Sequence, residues 1–153
     1  MALMDAVDRK ILNLLQENAK LTIKELSGQL NLSTTPIFER VKRLEKEGVI
    51  TNYVAVLDKD RVGKKLTVFM HISLSNHTRD GVNEFGKEVM GYDEVMACHH
   101  VTGASDFMLK IMVEDIEAYN TFIQDKLAGA PHIGKVESSF SLNVLKDTQA
   151  FTL

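Results

Sequence analysis

The chain has 153 residues, of which 44% are hydrophobic and 25% charged, and its formal net charge is -3. This balance is typical of an ordinary globular protein, and no apolar run approaches the roughly 18 residues of a membrane span. Binding to nucleic acid would therefore need a local basic patch, because the field of the whole acidic chain opposes it.

The cysteine content and the N-terminal residues bear on the compartment. Cys98 is the only cysteine, which excludes an internal disulfide and fits a reducing environment. The opening MALMDAVDRKIL lacks the basic start, apolar core and small-residue cleavage site of an export signal. We therefore expect a cytoplasmic protein without membrane contacts and with no bound cofactor.

Residues 5–48 show helical periodicity, with a capping box at the start of TIKELSGQL. The following NLS is too short for anything but a tight turn between two helices. In the third helix we predict Ser33 as the N-cap, Pro36 in the first turn and Gly48 as the terminating glycine. The first helix is predicted from one apolar stripe, formed by Val7, Ile11, Leu14 and Leu15.

From Leu66 onward the apolar period changes. LTVFMHISL alternates as a strand, TRDGVNEFGKEVMG reads as a helix, and VMACHHV and DFMLKIMV read as strands joined by TGAS. DIEAYNTFIQDKL, with the stripe Ile116, Tyr119, Ile123 and Leu127, is a predicted helix, and VESSFSLNVL a last strand. The order β-α-β-β-α-β is ferredoxin-like, so the fold class is α+β. We expect a helical domain over 1–50, a hinge with a short strand-like piece over 51–65, and the second domain over 66–153.

Two helices joined by a tight turn form the helix-turn-helix pattern, whose second helix enters the major groove of DNA. On this helix Ile37, Val41 and Leu44 face inward. The N-terminal turns usually meet the bases, after a start set by Ser33 and Pro36. The base-edge candidates are Thr34, Thr35, Phe38, Glu39 and Lys42, and the phosphate candidates are Arg40, Arg43 and Lys46. The alternative is a solvated charged face, which the cap and the early proline disfavour.

The run LSTTPIFERVKRLEKEGVI closely resembles the DNA-binding domain of the Lrp/AsnC, or feast/famine, regulators. The matching positions are Leu32, Ser33, Thr35, Pro36, Arg40, Val41, Leu44, Glu45, Gly48 and Ile50. The resemblance extends over nearly the whole chain. It implies a winged-helix-like DNA-binding domain, a RAM-type second domain, double-stranded DNA as partner, and a nucleoid-associated transcriptional regulator.

The same resemblance implies an amino-acid effector, bound through a motif of glycine, two variable residues, aspartate and an aromatic residue. Backbone N–H groups of a glycine loop can hold a carboxylate and an aspartate can receive an ammonium, although the run could equally be a simple turn. The resemblance implies that the segment Leu127–Ser138 of another subunit completes the pocket, where His132 replaces a frequent glycine. The candidate effector residues are His100, Thr102, Gly103, Ala104, Ser105, Asp106, Phe107, Pro131, His132 and Ser138.

Cys98, His99 and His100 suggest a metal site or a nucleophile. Adjacent side chains of a strand point to opposite faces, so Cys98 and His100 share a side and His99 does not. Two ligands fall short of a zinc site, and no third group orients a catalytic pair. We therefore predict neither a metal site nor an enzyme.

The strand face Thr67, Phe69, His71 and Ser73 would be open, which indicates association or a partly wetted sheet. The resemblance implies dimers formed through this sheet and octamers built from dimers. Two other functions remain open at this point. The chain could be an amino-acid-binding regulatory subunit of an enzyme, or an architectural DNA-binding protein without an effector.

Overall fold

A computed structural model describes residues 4–153. The chain divides into two compact units, one formed by the residues up to Val56 together with Leu145–Leu153, the other by Leu57–Val144. This division differs from the predicted one, because the last residues belong with the helical unit rather than with the sheet. Among the described residues, no helix is both long enough and apolar enough to span a membrane.

Three helices make up the first unit: α1 (Ala6–Glu17), α2 (Ile23–Leu30) and α3 (Thr34–Lys46). Capping boxes open α1 at Asp5 and α2 at Thr22, the latter as predicted. Asn31 closes α2 in the left-handed conformation, with φ 53°, and permits the tight turn into α3. The buried core of this unit consists of Ile11, Leu12, Leu15, Leu26, Ile37, Val41 and Leu44.

The predicted hinge, residues 51–65, contains turns at 59–63 and no strand, so the predicted strand-like piece is wrong. Val54, Val56 and Leu57 are exposed along it. A lone extended segment has no ladder partner for its backbone groups, and apolar composition alone does not supply one.

The second unit has the predicted order. It contains β1 (Leu66–Leu74), α4 (Arg79–Val89), β2 (Val95–His100), β3 (Phe107–Val113), α5 (Ile116–Thr121) and β4 (Ile133–Phe140). A π turn over Phe122–Lys126 and a 3-10 turn over Leu127–Gly129 continue α5. The strands form an antiparallel sheet in the order β2-β3-β1-β4. Two predicted details are wrong: β4 begins and ends earlier than VESSFSLNVL, and Ile116 is 55% exposed.

One face of this sheet carries the core. Val68, Met70, Ile72 and Leu74 of β1 are buried there together with side chains of α4, β3 and the α5 segment. The other face of β1 is only partly open, since Thr67 is buried while Phe69, His71 and Ser73 are intermediate. Because β1 lies between β3 and β4, the loop before β3 and the turn before β4 meet at its C-terminal end.

The C-terminal residues return to α1. Asn13 Oδ1 accepts the backbone N–H of Leu153 at 3.2 Å, and Gln16 Oε1 accepts that of Phe151 at 3.0 Å. The Leu153 side chain packs against the helical core. This contact explains why residues 145–153 belong to the first unit.

Candidate nucleic-acid interface and ligand loop

The outward face of α3 is available to a partner. Ile37, Val41 and Leu44 are buried on the inner face, as predicted. The exposed face carries one large apolar side chain, Phe38, which is 49% exposed. The other exposed residues there are Thr34, Thr35, Glu39, Lys42 and Lys46.

The start of α3 lies where it was predicted, but the capping hydrogen bond of Ser33 is absent. Ser33 has the extended backbone of an N-cap, yet its side chain makes no capping hydrogen bond. Pro36 occupies the first turn, where its missing N–H leaves no bond unmade. No capping side chain accepts from the amides of this turn, whose residues Thr34 and Thr35 are exposed. At the other end Gly48 follows the C-cap with φ 72°, as predicted for a terminating glycine.

Two basic residues of α3 are held by α1. Arg40 Nη1 lies 2.6 Å from Asp5 Oδ2 and 2.7 Å from Asp8 Oδ1, and Arg43 Nη2 lies 2.6 Å from Asp8 Oδ2. The side chain of Asp8 is 1% exposed. Hydrogen bonds from Arg40 to both carboxylates raise the pKa of its guanidinium. We call these four residues the Asp8 cluster; it fixes α3 to the N-terminus of α1.

The Asp8 cluster changes the role expected for the basic residues of α3. Of the predicted phosphate contacts, Arg40 and Arg43 have carboxylate partners, and Lys46 has no ion pair among the described residues. The sequence reasoning missed Asp5 and Asp8. The available signal was the capping-box spacing of these two acids, combined with Arg40 and Arg43 three residues apart on one helix face.

Lys42 belongs to a second polar group on α3. Its Nζ lies 3.0 Å from Glu45 Oε2, and the Tyr53 hydroxyl donates to Glu45 Oε1 at 3.1 Å. The Lys42 hydrogen bond, helped by Tyr53, holds the pKa of Glu45 below its usual value against the effect of burial. Burial and the neighbouring Glu45 carboxylate raise the pKa of Tyr53. The beginning of the hinge is thus bonded to α3.

The glycine loop between β2 and β3 is fixed by Asp106. Gly103 has φ 126°, a conformation that side-chain-bearing residues rarely adopt. Asp106 Oδ2 accepts the Leu74 N–H at 2.7 Å, and Asp106 Oδ1 lies 3.1 Å from His77 Nδ1. The Leu74 bond, together with the charges of His77 and His100, lowers the pKa of Asp106 although burial opposes this. His77 was missed by the sequence reasoning, and no motif marks it.

The rest of the loop is bound to the sheet. His100 stacks on Phe107, with ring centroids 5.0 Å apart. Ser105 Oγ lies 3.4 Å from His71 Nδ1, and Ser73 Oγ donates to the Ala104 carbonyl at 3.3 Å. Thr102, Gly103 and Ala104 are exposed at the tip.

The turn before β4 lies on the other side of the β1 end. His132 has φ 63°, and its carbonyl accepts the Ser75 N–H at 2.7 Å. His132 Nε2 lies 2.8 Å from Glu84 Oε2. Pro131 precedes it, half-buried. The family resemblance placed a glycine where His132 stands, and the left-handed backbone explains that preference.

Ser138 is the predicted effector residue that the structure sets apart. It pairs with Met70 in mid-strand, and its Oγ accepts the Tyr119 hydroxyl at 2.7 Å. It therefore lies on the helix-covered face, away from the loop tip. The predicted residues otherwise gather in two groups at the end of β1: His100 with Thr102–Phe107, and Pro131 with His132.

An open depression of about 430 Å³ adjoins the second group. Six of its eight lining residues have apolar side chains, and the other two are a serine and a histidine. The lining residues are Ser75, Ile123, Leu127, Ala128, Ala130, His132, Ile133 and Val136.

The residues around Cys98 do not form a metal site or a reactive thiol. Cys98 pairs with Leu109 and His100 with Phe107, both on the core face, whereas His99 pairs with Met108 on the other face. Burial raises the pKa of the Cys98 thiol, which makes it less reactive. Among the described residues no group of three or more His, Cys, Asp or Glu side chains could hold a metal ion.

Two segments of the chain match known domain families. Residues 4–51 match a winged helix-turn-helix DNA-binding domain, and residues 67–151 match the Lrp/AsnC ligand binding domain. The chain belongs to the Lrp/AsnC family. It therefore combines a DNA-binding domain with a ligand-binding domain, and the predicted family and fold class are confirmed.

Individual relatives agree with this assignment. The Bkd operon transcriptional regulator of Pseudomonas aeruginosa is 36% identical over 142 residues, covering 93% of each chain. The leucine-responsive regulatory protein of Haemophilus influenzae is 36% identical over 98% of this chain and 90% of its own. The crystal structure of a Neisseria meningitidis transcriptional regulator in complex with L-methionine has a TM-score of 0.92 at 34% identity, covering 97% of this chain and 96% of its own.

The Lrp/AsnC assignment decides between the functions left open by the sequence. These relatives are transcriptional regulators, and this chain is likewise a DNA-binding transcriptional regulator rather than an enzyme. The match of the helical unit to a DNA-binding domain disfavours a role as the regulatory subunit of an enzyme.

Proposed function

We propose that this Lrp/AsnC protein reads DNA as a homo-oligomer and responds to a free amino acid bound at the end of β1. The observation that carries the proposal is that the two faces of α3 differ. One face is buried and bound to α1 by the Asp8 cluster, and the other is exposed. A helix fixed in this way is a rigid element for entering the major groove.

The DNA-reading role falls on the N-terminal turns of α3. Thr34, Thr35, Phe38, Glu39 and Lys42 meet base edges in the proposed complex, with Phe38 suited to a thymine methyl group. Lys46 contacts phosphate, and the uncapped amides after Ser33 add a phosphate contact at the helix N-terminus. Arg40 and Arg43 act through orientation, because their charges are balanced by Asp5 and Asp8.

The effector role falls on the loop between β2 and β3. Asp106 Oδ2 is occupied by the Leu74 amide, so an incoming ammonium would contact Oδ1 and displace His77 from it. The exposed amides around Gly103 would hold the carboxylate. The L-methionine complex of the Neisseria meningitidis regulator supports an amino acid as the class of effector.

Self-association completes the proposal. A second copy's depression at Leu127–Val136 would take the side chain of the effector, since six of its eight lining residues have apolar side chains. Dimers would form through the sheet face with Phe69 and His71, where Met108 and Lys110 lie opposite them on β3, and would assemble into octamers. Oligomers supply avidity that one α3 lacks. We place this activity in the cytoplasm, with the nucleoid.

Binding to a DNA library, followed by affinity measurements at several salt concentrations, tests the DNA-reading role. We expect an enriched pseudo-palindromic sequence, and an affinity that falls steeply with salt. Thr35→Ala should lose discrimination between enriched and scrambled DNA by about tenfold. Lys10→Ala, an exposed change on α1, is the control. Equal binding of both DNAs by the wild type would contradict sequence-specific reading.

A thermal-shift screen against the common amino acids, repeated by size-exclusion chromatography, tests the effector role. At least one amino acid should raise Tm or change the oligomer size, and Asp106→Asn should abolish that response. Asn can still accept the Leu74 amide, so this variant removes the charge and keeps the loop bond. A response that persists in Asp106→Asn would remove this carboxylate from the site.

A further inference from the structure

Two side chains of α1 bind the backbone of the C-terminal residues. Asn13 and Gln16 lie one helical turn apart, and each side-chain amide faces one residue of the C-terminal segment. Gln16 Nε2 donates to the Phe151 carbonyl at 2.9 Å while its Oε1 accepts the Phe151 N–H at 3.0 Å. Asn13 makes the same pair of bonds with Leu153, at 3.5 and 3.2 Å.

This pattern is the one that a neighbouring strand would make. A carboxamide offers one acceptor and a donor in the geometry of a peptide group. Alternate residues of an extended chain present N–H and C=O on the same side, about 6.6 Å apart. The Cβ atoms of two residues three apart on a helix lie about 5–6 Å from each other, and the longer glutamine can span the difference. Leu153 adds an apolar anchor against the helical core.

We propose that Phe151–Leu153 is a clasp through which the ligand-binding unit governs the DNA-reading unit. The chain passes between the two units twice, after Val56 and again after Val144. With the clasp docked, the second unit is attached at both of its ends. A single flexible connection lets a domain rotate, whereas two attachments transmit its movement.

The clasp lies on the helix that holds α3. Asn13 and Gln16 belong to α1, whose N-terminal Asp8 binds Arg40 and Arg43. A displacement of α1 caused by the C-terminal segment would therefore be transmitted to α3 through the ion pairs of the Asp8 cluster. This inference rests on the proposed response to an amino acid, and it assigns the clasp of each chain to its own α1.

The variant Asn13→Ala/Gln16→Ala tests docking directly. Hydrogen exchange at the Phe151 and Leu153 amides should become at least about tenfold faster than in the wild type. Gln29→Ala is the matched control, because Gln29 is exposed on α2 of the same unit. It should leave both rates unchanged. Unchanged exchange in the double variant would overturn the clasp.

The same variants test the transmitting role. DNA affinity without amino acid should stay within about twofold of wild type, because α3 is untouched. The change in DNA affinity caused by L-methionine, or by the amino acid that the thermal-shift screen identifies, should be lost. A preserved change would overturn the transmitting role. If the wild type itself responds to no amino acid, the proposed effector function fails and transmission fails with it, whereas the exchange rates still decide docking.

A cross-link decides which copy the clasp binds. Glu17→Cys and Thr152→Cys, both exposed and neither part of the Asn13 and Gln16 bonds, would be bridged with a short bismaleimide in a Cys98→Ser background. Wild-type protein with only Cys98→Ser is the control. A bridged species of monomer size is expected in a denaturing gel. Bridging mainly into covalent dimers would overturn the assignment to the same chain.

Discussion

The Asp8 carboxylate of α1 lies 2.6 Å from Arg43 Nη2 of α3 and is almost fully buried. This buried acid with two arginine partners joins α1 to α3, although in the sequence these residues are only scattered charges. Because Arg40 and Arg43 retain 27% and 40% exposure, part of their charge still reaches solvent.

Loss of the Asp8 carboxylate should destabilise the helical unit. We expect Asp8→Ala to lower its free energy of unfolding by about 2–3 kcal/mol, below the loss for a fully buried pair because both arginines can turn to water. Urea unfolding followed through the amide signals of α1–α3 measures this. Asp5→Ala is the control and should cost less, since its side chain is 49% exposed. Equal losses would contradict the central role of Asp8.

Lys46 and Arg40 should differ in their effect on the salt dependence of DNA binding. Lys46→Ala should reduce the slope of log affinity against log salt by about 1, as for one lost phosphate contact. Arg40→Ala should change the slope less, because its charge is balanced by Asp5 and Asp8. Titrations at four or more potassium chloride concentrations give both slopes. Identical slope changes would show that Arg40 also meets phosphate.

The pKa of Glu45 should change when either of its partners, Lys42 or Tyr53, is replaced. Its pKa is lowered first by the Lys42 hydrogen bond and less by the Tyr53 hydroxyl. Lys42→Ala should therefore raise the Glu45 pKa toward its ordinary value, and Tyr53→Phe should raise it by a smaller amount. Carboxyl carbon shifts followed by NMR through the acid range measure both. A larger rise in Tyr53→Phe would reverse the assignment.

Asp106 should make the stability of the second unit depend on pH. Its pKa in the folded protein is lowered, chiefly by the Leu74 amide, so its contribution is present above the unfolded value of about 3.9. That contribution is lost as pH falls through the lowered folded pKa, because the neutral acid no longer gains from these partners. Asp106→Asn should flatten this part of the stability–pH curve. Urea midpoints between pH 2 and 6 measure it, and an unchanged curve would exclude Asp106.

The two glycines of α4 should respond oppositely to alanine. A Cβ at Gly81 would lie 2.8 Å from the Asn76 carbonyl oxygen, whereas one at Gly86 meets nothing within 4 Å. Gly81→Ala should destabilise by about 1–3 kcal/mol through this overlap, and Gly86→Ala should stabilise by about 0.5–1 kcal/mol through helix propensity. Thermal unfolding compares them. Two changes of the same sign would contradict the close approach at Gly81.

The sequence predicted those features that depend on local periodicity. The apolar stripe around Ile37 follows the helical repeat and the alternation in β1 follows the strand repeat, and both α3 and β1 were predicted in the right place. The α5 segment was predicted less well, since Phe122 lies in the core outside the predicted stripe and Ile116, within that stripe, is exposed. Its π turn over Phe122–Lys126 was not predicted either. A change in turn width within a helix leaves no mark in a regular apolar pattern.

Side-chain pairing over long separations could not be predicted. Arg40 and Arg43 looked like phosphate ligands, and Asp8 lies 32 and 35 residues away from them. A basic helix face has the same sequence appearance whether its partner is an acid or a nucleic acid. The return of Leu153 to α1 was missed for a similar reason: amide side chains such as Asn13 carry no periodic signal.

Leu74 and Ser75 donate consecutive backbone amides, at 2.7 Å each, to the Asp106 carboxylate on one side and the His132 carbonyl on the other. The loop between β2 and β3 and the turn before β4 are thus both anchored to the same dipeptide, formed by the last residue of β1 and the residue that follows it. The residues at the exposed tip, Thr102–Ala104, and at position 132 can then differ between homologous regulators without displacing the loop or the turn. New ligand preferences could arise there by substitution alone, while the scaffold that holds them stays unchanged.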